Sequence, residues 1–145
     1  MNIELRLASD SLYAERLTAS NMANYYHRRD WSWDHQRFLK SWIEFDNFEI
    51  FVNGIRVGLV RFSYRQATRY LREIQLEGEY QGKGVGSKVL QLIKLHGQSR
   101  GSKRLALRAF SENPVINLYK TMGFMQLAEV DGLVEMQLLL NAPVD

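Results

Sequence analysis

The chain has 145 residues, no cysteine, 46% hydrophobic and 24% charged side chains, and a net charge of +3. That length predicts one domain over residues 1–145, burying roughly two thirds of its unfolded surface. Without cysteine there is no disulfide, thiolate metal site or thiol nucleophile, and no apolar run approaches the ~20 residues of a bilayer-crossing helix.

The first seven residues, Met1 to Leu7, alternate apolar with polar side chains, unlike a secretion leader. With no cysteine in the chain, a reducing cytoplasm is the expected address, and no membrane partner is expected. Charge is unevenly spread. Residues 1–80 carry eleven basic and eleven acidic groups, whereas residues 81–120 carry eight basic groups against Glu112 alone. That excess points to an anionic ligand bound by the middle of the chain, or else to a solvated basic helix face.

In chain order, residues 2–7 read as a strand and 11–29 as one helix or two short ones. A helix over 34–44 would bury His35, Phe38, Leu39, Trp42 and Ile43 on one side, following the i, i+3, i+4, i+7 rule. Two alternating runs, 48–52 and 55–62, flank Asn53-Gly54, a pair that tolerates the positive φ angles of a type I′ hairpin. A further strand spans 70–76, its uneven apolar spacing suggesting a bulge.

A helix over 84–98 places Val85, Val89, Leu92 and Ile93 on one face, and 104–110 alternates as a strand. Asn113-Pro114 predicts a cap and first position of a short helix ended by Gly123, with Val115, Leu118, Tyr119 and Met122 on its buried face. Segments 124–130 and 133–140 form a last hairpin around Asp131-Gly132. The order is β-α-α-β-β-β-α-β-α-β-β. It predicts an α+β, three-layer fold: a mixed, mostly antiparallel central sheet of about seven strands with flanking helices.

The segment Gln81-Gly82-Lys83-Gly84-Val85-Gly86-Ser87-Lys88 lies between a predicted strand and a predicted helix. Glycines let the backbone curl around a ligand, and the first amides of a helix are unpaired donors carrying partial positive charge, a setting that suits a pyrophosphate. A P-loop is excluded because the residue four beyond Gly82 is followed by no Gly-Lys pair, and a dinucleotide fingerprint because Ser87 stands where its third glycine belongs.

Gln81-x-x-Gly84-x-Gly86 resembles the acetyl-CoA pyrophosphate loop of the GNAT N-acetyltransferase superfamily, and Leu71 to Tyr80 resembles that family's fourth strand and the approach to the loop. Downstream, Asn113 to Phe124 resembles its asparagine, short helix, tyrosine and Gly-Phe segment. The resemblance implies a transfer of acetyl from acetyl-CoA to a primary amine of a small molecule or peptide, by direct transfer in a ternary complex.

By the same resemblance, Gln81, Gly82, Lys83, Gly84, Val85, Gly86 and Ser87 bind the pyrophosphate, and main-chain groups of Ile74 and Leu76 lie beside the pantetheine arm and the thioester. Asn113 touches the co-substrate, and Tyr119 protonates the departing thiolate. Glu73 matches an acidic position of polyamine-type members and is the candidate base; its neighbour, acidic in those members, is Arg72 here. His27 and His35 are alternative bases, and no metal site is expected from three scattered histidines.

The stretch Tyr25 to Asp34 is rich in aromatics and suits an acceptor wall or, equally, a core. Arg56, Arg61, Arg65, Arg69 and Arg72 raise an acidic or RNA-linked acceptor; a solvated hairpin is the preferred reading, and nucleic acid is not expected as a partner. A non-catalytic acyl-CoA-binding module is the competing function class, and a homodimer is left open.

Overall fold

Strong turn chemistry fixes the strand pairs. In a computed structural model that describes residues 1–140, Asn53 and Gly54 have φ of 50° and 80°, and Asp131 and Gly132 have 52° and 77°. Both pairs thus hold the left-handed angles of a type I′ turn.

The elements are β1 (Ile3–Leu7), α1 (Ser11–Arg28), α2 (His35–Glu44), β2 (Asp46–Val52), β3 (Ile55–Arg65), β4 (Thr68–Leu76), α3 (Val85–Ser99), β5 (Arg104–Phe110), α4 (Val115–Thr121), β6 (Met125–Val130) and β7 (Leu133–Leu139). A 3-10 turn at Gly78–Tyr80 joins β4 to the loop before α3. The strands form one seven-stranded mixed sheet in the order β1-β2-β3-β4-β5-β7-β6. β1 with β2, β2 with β3, β5 with β7 and β6 with β7 pair antiparallel, while β4 and β5 pair parallel.

Two compact units make up the chain. The first comprises Met1–Phe62 and Glu73–Lys83, and the second Ser63–Arg72 and the residues from Gly84 onward. In the first, Ile50, Val57, Leu59 and Val60 are sealed from solvent in β2 and β3, and Ala14 and Phe38 pack with Leu59 beneath Leu17, Trp33 and Trp42. A side chain at Gly58 of β3 would overlap the carbonyl oxygen of Gln75 in β4, so only glycine fits there.

In the second unit, Val85, Val89 and Ile93 of α3, Leu105 and Leu107 of β5, and Met136 of β7 are buried. The parallel ladder joins Thr68–Leu71 to Arg104–Leu107, and β4 runs on past its last paired position. Ladder irregularities fall at Ile50/Phe51 in β2 and Gln126/Ala128 in β6.

Two predicted faces differ from the observed ones. On α2, Ile43 is 86% exposed, and Leu39 and His35 are also exposed. Phe38 is the buried residue, because Trp33, Phe38 and Trp42 stack upon one another in sequence, their ring centroids 6.0 Å apart, and this stack sets the helix rotation. On α4, Ile116 and Tyr119 are buried, whereas Val115, Leu118 and Met122 are half-buried. Among the described residues no helix is long and apolar enough to cross a membrane.

Candidate functional site

Glycine conformation shapes the loop before α3. Gly82 and Gly84 have φ of 70° and 81°, in the left-handed region that other residues enter at a cost. Gly86 serves differently: a Cβ there would press within 3.3 Å of Leu118 of α4, so its role is close helix approach.

Gly84 is the N-cap of α3 and offers no side chain to accept a hydrogen bond, and the first turn holds no acidic residue. The helix's own ladder begins with Lys88 N–H donating to Gly84 C=O at 3.3 Å. The amides of Val85, Gly86 and Ser87 precede that bond and point out of the helix start, where the dipole favours an anion. Residues Gln81 to Gly84 and Lys88 are exposed, Gly86 and Ser87 are half-buried, and Val85 is buried.

Also in the second unit, Asn113 Oδ1 accepts from Val115 N–H at 3.0 Å, which commits that oxygen to the start of α4. Tyr119 is 5% exposed and packs against Phe124 with ring centroids 5.5 Å apart. The Tyr119 carbonyl accepts from Phe124 N–H at 3.0 Å, which closes the helix onto the Gly-Phe segment.

In the first unit, the Leu76 carbonyl accepts from Gln81 Nε2 at 2.9 Å and from Asn21 Nδ2 at 3.0 Å. The loop's first residue and helix α1 thus clamp the same peptide at the end of β4. Ile74 and Leu76 are half-buried.

Glu73 Oε1 accepts from Gln75 Nε2 at 2.6 Å, and Gln75 Oε1 accepts from Asn21 Nδ2 at 3.0 Å. Burial pushes the Glu73 carboxyl above the ordinary carboxylate range, outweighing the Gln75 hydrogen bond and the Arg61 charge, both of which favour ionisation. Tyr26 is raised by burial and by the charge of Glu73. Tyr26 also meets Trp31 edge-on at 5.6 Å and stacks on Trp33 at 5.8 Å, so aromatic faces and a carboxylate share one region. Trp33 is held by its Nε1–H donating to Glu15 at 2.8 Å.

Of the other candidate bases, His27 is exposed, and His35 Nδ1 lies 2.6 Å from Glu15. Glu77 lies beside Tyr13, whose phenol is pushed up to about 12, first by burial and then by the Glu77 charge. Glu73 belongs to the first unit and Tyr119 to the second.

Asn21 and Gln75 did not figure among the sequence candidates. Their signal was weak but present: an asparagine inside a long helix is a poor helix former, and Gln75 sits between Ile74 and Leu76 on β4.

The preferred reading of the arginines as a solvated hairpin fails for two of them. Arg61 is 4% exposed and Arg69 is 0% exposed. Arg61 donates to Asn47 and Ser41 at 2.7 Å and lies 4.8 Å over the Phe38 ring. Arg69 bonds His96 and lies 4.6 Å over Tyr64. Arg56 pairs with Asp10 and Glu49, and Arg72 donates to Ser63 at 2.8 Å. These cations are engaged by neighbouring side chains, so the five do not form one exposed stripe. Among the described residues no group of three or more His, Asp or Glu side chains could hold a metal ion.

Comparison with known proteins adds four findings. Residues 9–124 match the family model described as the acetyltransferase (GNAT) family. A thialysine N-epsilon-acetyltransferase from Bos taurus is 33% identical over 79 residues, which is 52% of this chain and 46% of that protein. The chain therefore matches about half the length of that curated relative.

Among solved structures, PaiA N-acetyltransferase from Thermoplasma acidophilum, in complex with coenzyme A, superposes with a TM-score of 0.70 at 18% identity, covering 94% of this chain and 98% of that one. Tetrahymena GCN5 superposes with a TM-score of 0.76 at 15% identity, covering 100% and 99%. At such identities the likeness is one of fold.

Proposed function

This chain belongs to the GNAT acetyltransferase family, and from that premise we propose that it transfers an acetyl group from acetyl-CoA to a primary amine, as a single domain acting by direct transfer in a ternary complex. The observation that carries this reading is the start of α3. Three helix amides without a side-chain cap follow directly on the Gln81–Lys83 turn, where a diphosphate would find both donors and the positive end of a dipole. Lys83 and Lys88, both exposed, add charge beside it. The solved relative that holds coenzyme A supports the choice of co-substrate.

In this reading Gln81 to Ser87 hold the pyrophosphate, and Asn113, its oxygen already committed to Val115 N–H, touches the co-substrate through its Nδ2. Glu73 takes the proton that the attacking amine loses as the nitrogen–carbon bond forms; its raised proton affinity suits a base working near neutral pH. Main-chain groups of Ile74 and Leu76 lie beside the pantetheine arm and the thioester, and a backbone N–H near Leu76 stabilises the carbonyl oxygen where negative charge develops. Tyr119 gives its phenolic proton to the departing sulfur as the carbon–sulfur bond breaks. The lack of cysteine supports direct transfer, since no thiol is there to carry the acetyl group.

The acceptor is a small-molecule or peptide amine in a cytoplasmic setting, and thialysine, named for the Bos taurus relative, is the first amine to test. Release of coenzyme A from acetyl-CoA should be measured across an amine panel containing thialysine. The expected result is turnover with at least one amine and a fall of tenfold or more in kcat for Tyr119→Phe. Binding of acetyl-CoA with equally negligible release by wild type and variant, whatever the amine, would leave an acyl-CoA-binding module in its place.

A further inference from the structure

The amide of Gln75 can be presented to Glu73 in two ways, and Asn21 selects between them. Both protons of Asn21 Nδ2 are committed, one to the Leu76 carbonyl and one to Gln75 Oε1, each at 3.0 Å. With its oxygen held by a donor, Gln75 turns Nε2–H toward Glu73 Oε1. Gln75 is 8% exposed, so water cannot readily replace either partner.

We propose that Asn21 is a positioning residue: by fixing the orientation of the Gln75 amide, it keeps a donor on Glu73 and so keeps that carboxylate available to accept a proton. This rests on the reading of Glu73 as the base. An amide N–H donated to a carboxylate favours the ionised form, whereas an amide oxygen turned toward it favours the protonated form. Without Asn21, the Gln75 oxygen loses the donor that fixes it, and the amide turns toward a proton on Glu73.

The remaining groups around Glu73 are Arg61 of β3, which favours ionisation, and Tyr26 of α1, which feels the Glu73 charge and that of Arg37 on α2. The relay also reaches the loop, because Asn21 and Gln81 share the Leu76 carbonyl. Loss of Asn21 leaves that carbonyl one donor, so the strand end stays tethered.

The test is a carbon-13 NMR titration of the Glu73 side-chain carboxyl in wild type, Asn21→Leu and Gln75→Met, the last nearly matching Gln75 in shape should the first fold poorly. The expected result is a wild-type midpoint above the usual carboxylate range and a further upward move of roughly one pH unit in each variant. A residue of merely structural importance would lower stability and leave the midpoint in place, so unmoved midpoints in the folded variants overturn the proposal. The base reading is separated by Glu73→Gln: if the midpoints move as expected while Glu73→Gln keeps the wild-type pH profile with acetyl-CoA and thialysine, the relay stands and Glu73 is not the base.

Discussion

Helices α1, α2 and α4 start in one way and α3 in another. Asp10 accepts from Tyr13 N–H, Asp34 from Arg37 N–H and Asn113 from Val115 N–H, so each of the three has an oxygen of its own chain on its first turn. Helix α3 starts on Gly84 in the left-handed region, with no side-chain acceptor and no acid in its first turn. Orphan donors at a helix start are commonly satisfied by caps or by ligands. The comparison separates helix ends capped by the chain itself from one left uncapped, whose donors we propose are kept for the diphosphate of the co-substrate.

The largest expected effect comes from giving α3 what the others have. Ser87→Asp places a carboxylate on the first turn, which should leave the helix as stable as before or slightly more so. It should weaken coenzyme A binding on the order of a hundredfold, because repulsion replaces attraction at the diphosphate. Calorimetric titration together with thermal unfolding reads both. Equal affinity in the two proteins would erase the distinction between helix starts.

Next in size, Gly84→Ala should cost about 1–2 kcal/mol, measured by denaturant unfolding, because its φ of 81° is strained for any residue with a Cβ. Space is not the obstacle, as a Cβ there meets nothing within 4 Å. Asp34→Ala should cost about 1 kcal/mol through loss of a cap and leave coenzyme A affinity unchanged. Loss of affinity there would show that both kinds of helix start serve the ligand.

The smallest effect concerns the carboxylate near α1. The Glu73 pKa is raised in the folded chain, so the group favours folding below the ordinary carboxylate pKa, and that contribution is lost as pH rises through the folded value. Glu73→Gln should therefore gain stability relative to wild type on going from pH 4 to pH 7 in paired melts. A gain in the opposite direction would mean that Arg61 and Gln75 outweigh burial.

Local rules carried much of the fold. Asn53-Gly54 and Asp131-Gly132 require positive φ, and the glycines of 82–86 mark a curled chain before a helix, so these elements were legible from residue chemistry. The rotation of α2 was not, because the stack of Trp33, Phe38 and Trp42 beneath Arg61 depends on β3, far along the chain, and Ile43 is left outside by it. Charge misled for a related reason: a guanidinium lies flat on aromatic rings, which hides Arg61 in a core that its charge alone would place in solvent.

The candidate site divides the same way. The loop motif is contiguous and could be read directly, whereas Glu73 gains its surroundings from Asn21, fifty-two positions earlier, through hydrogen bonds that no local pattern announces. Glu73 is nonetheless adjacent in sequence to an exposed arginine, and strand alternation sends Arg72 to the opposite face from Glu73. The departure at Arg72 thus leaves the carboxylate's own surroundings intact.

The most direct measurement is a proton–nitrogen NMR titration of the labelled protein with coenzyme A. The account predicts that the amides of Gly84, Val85, Gly86 and Ser87 show the largest shifts, in step with saturation. Saturable binding that leaves those four signals in place and moves others would contradict it.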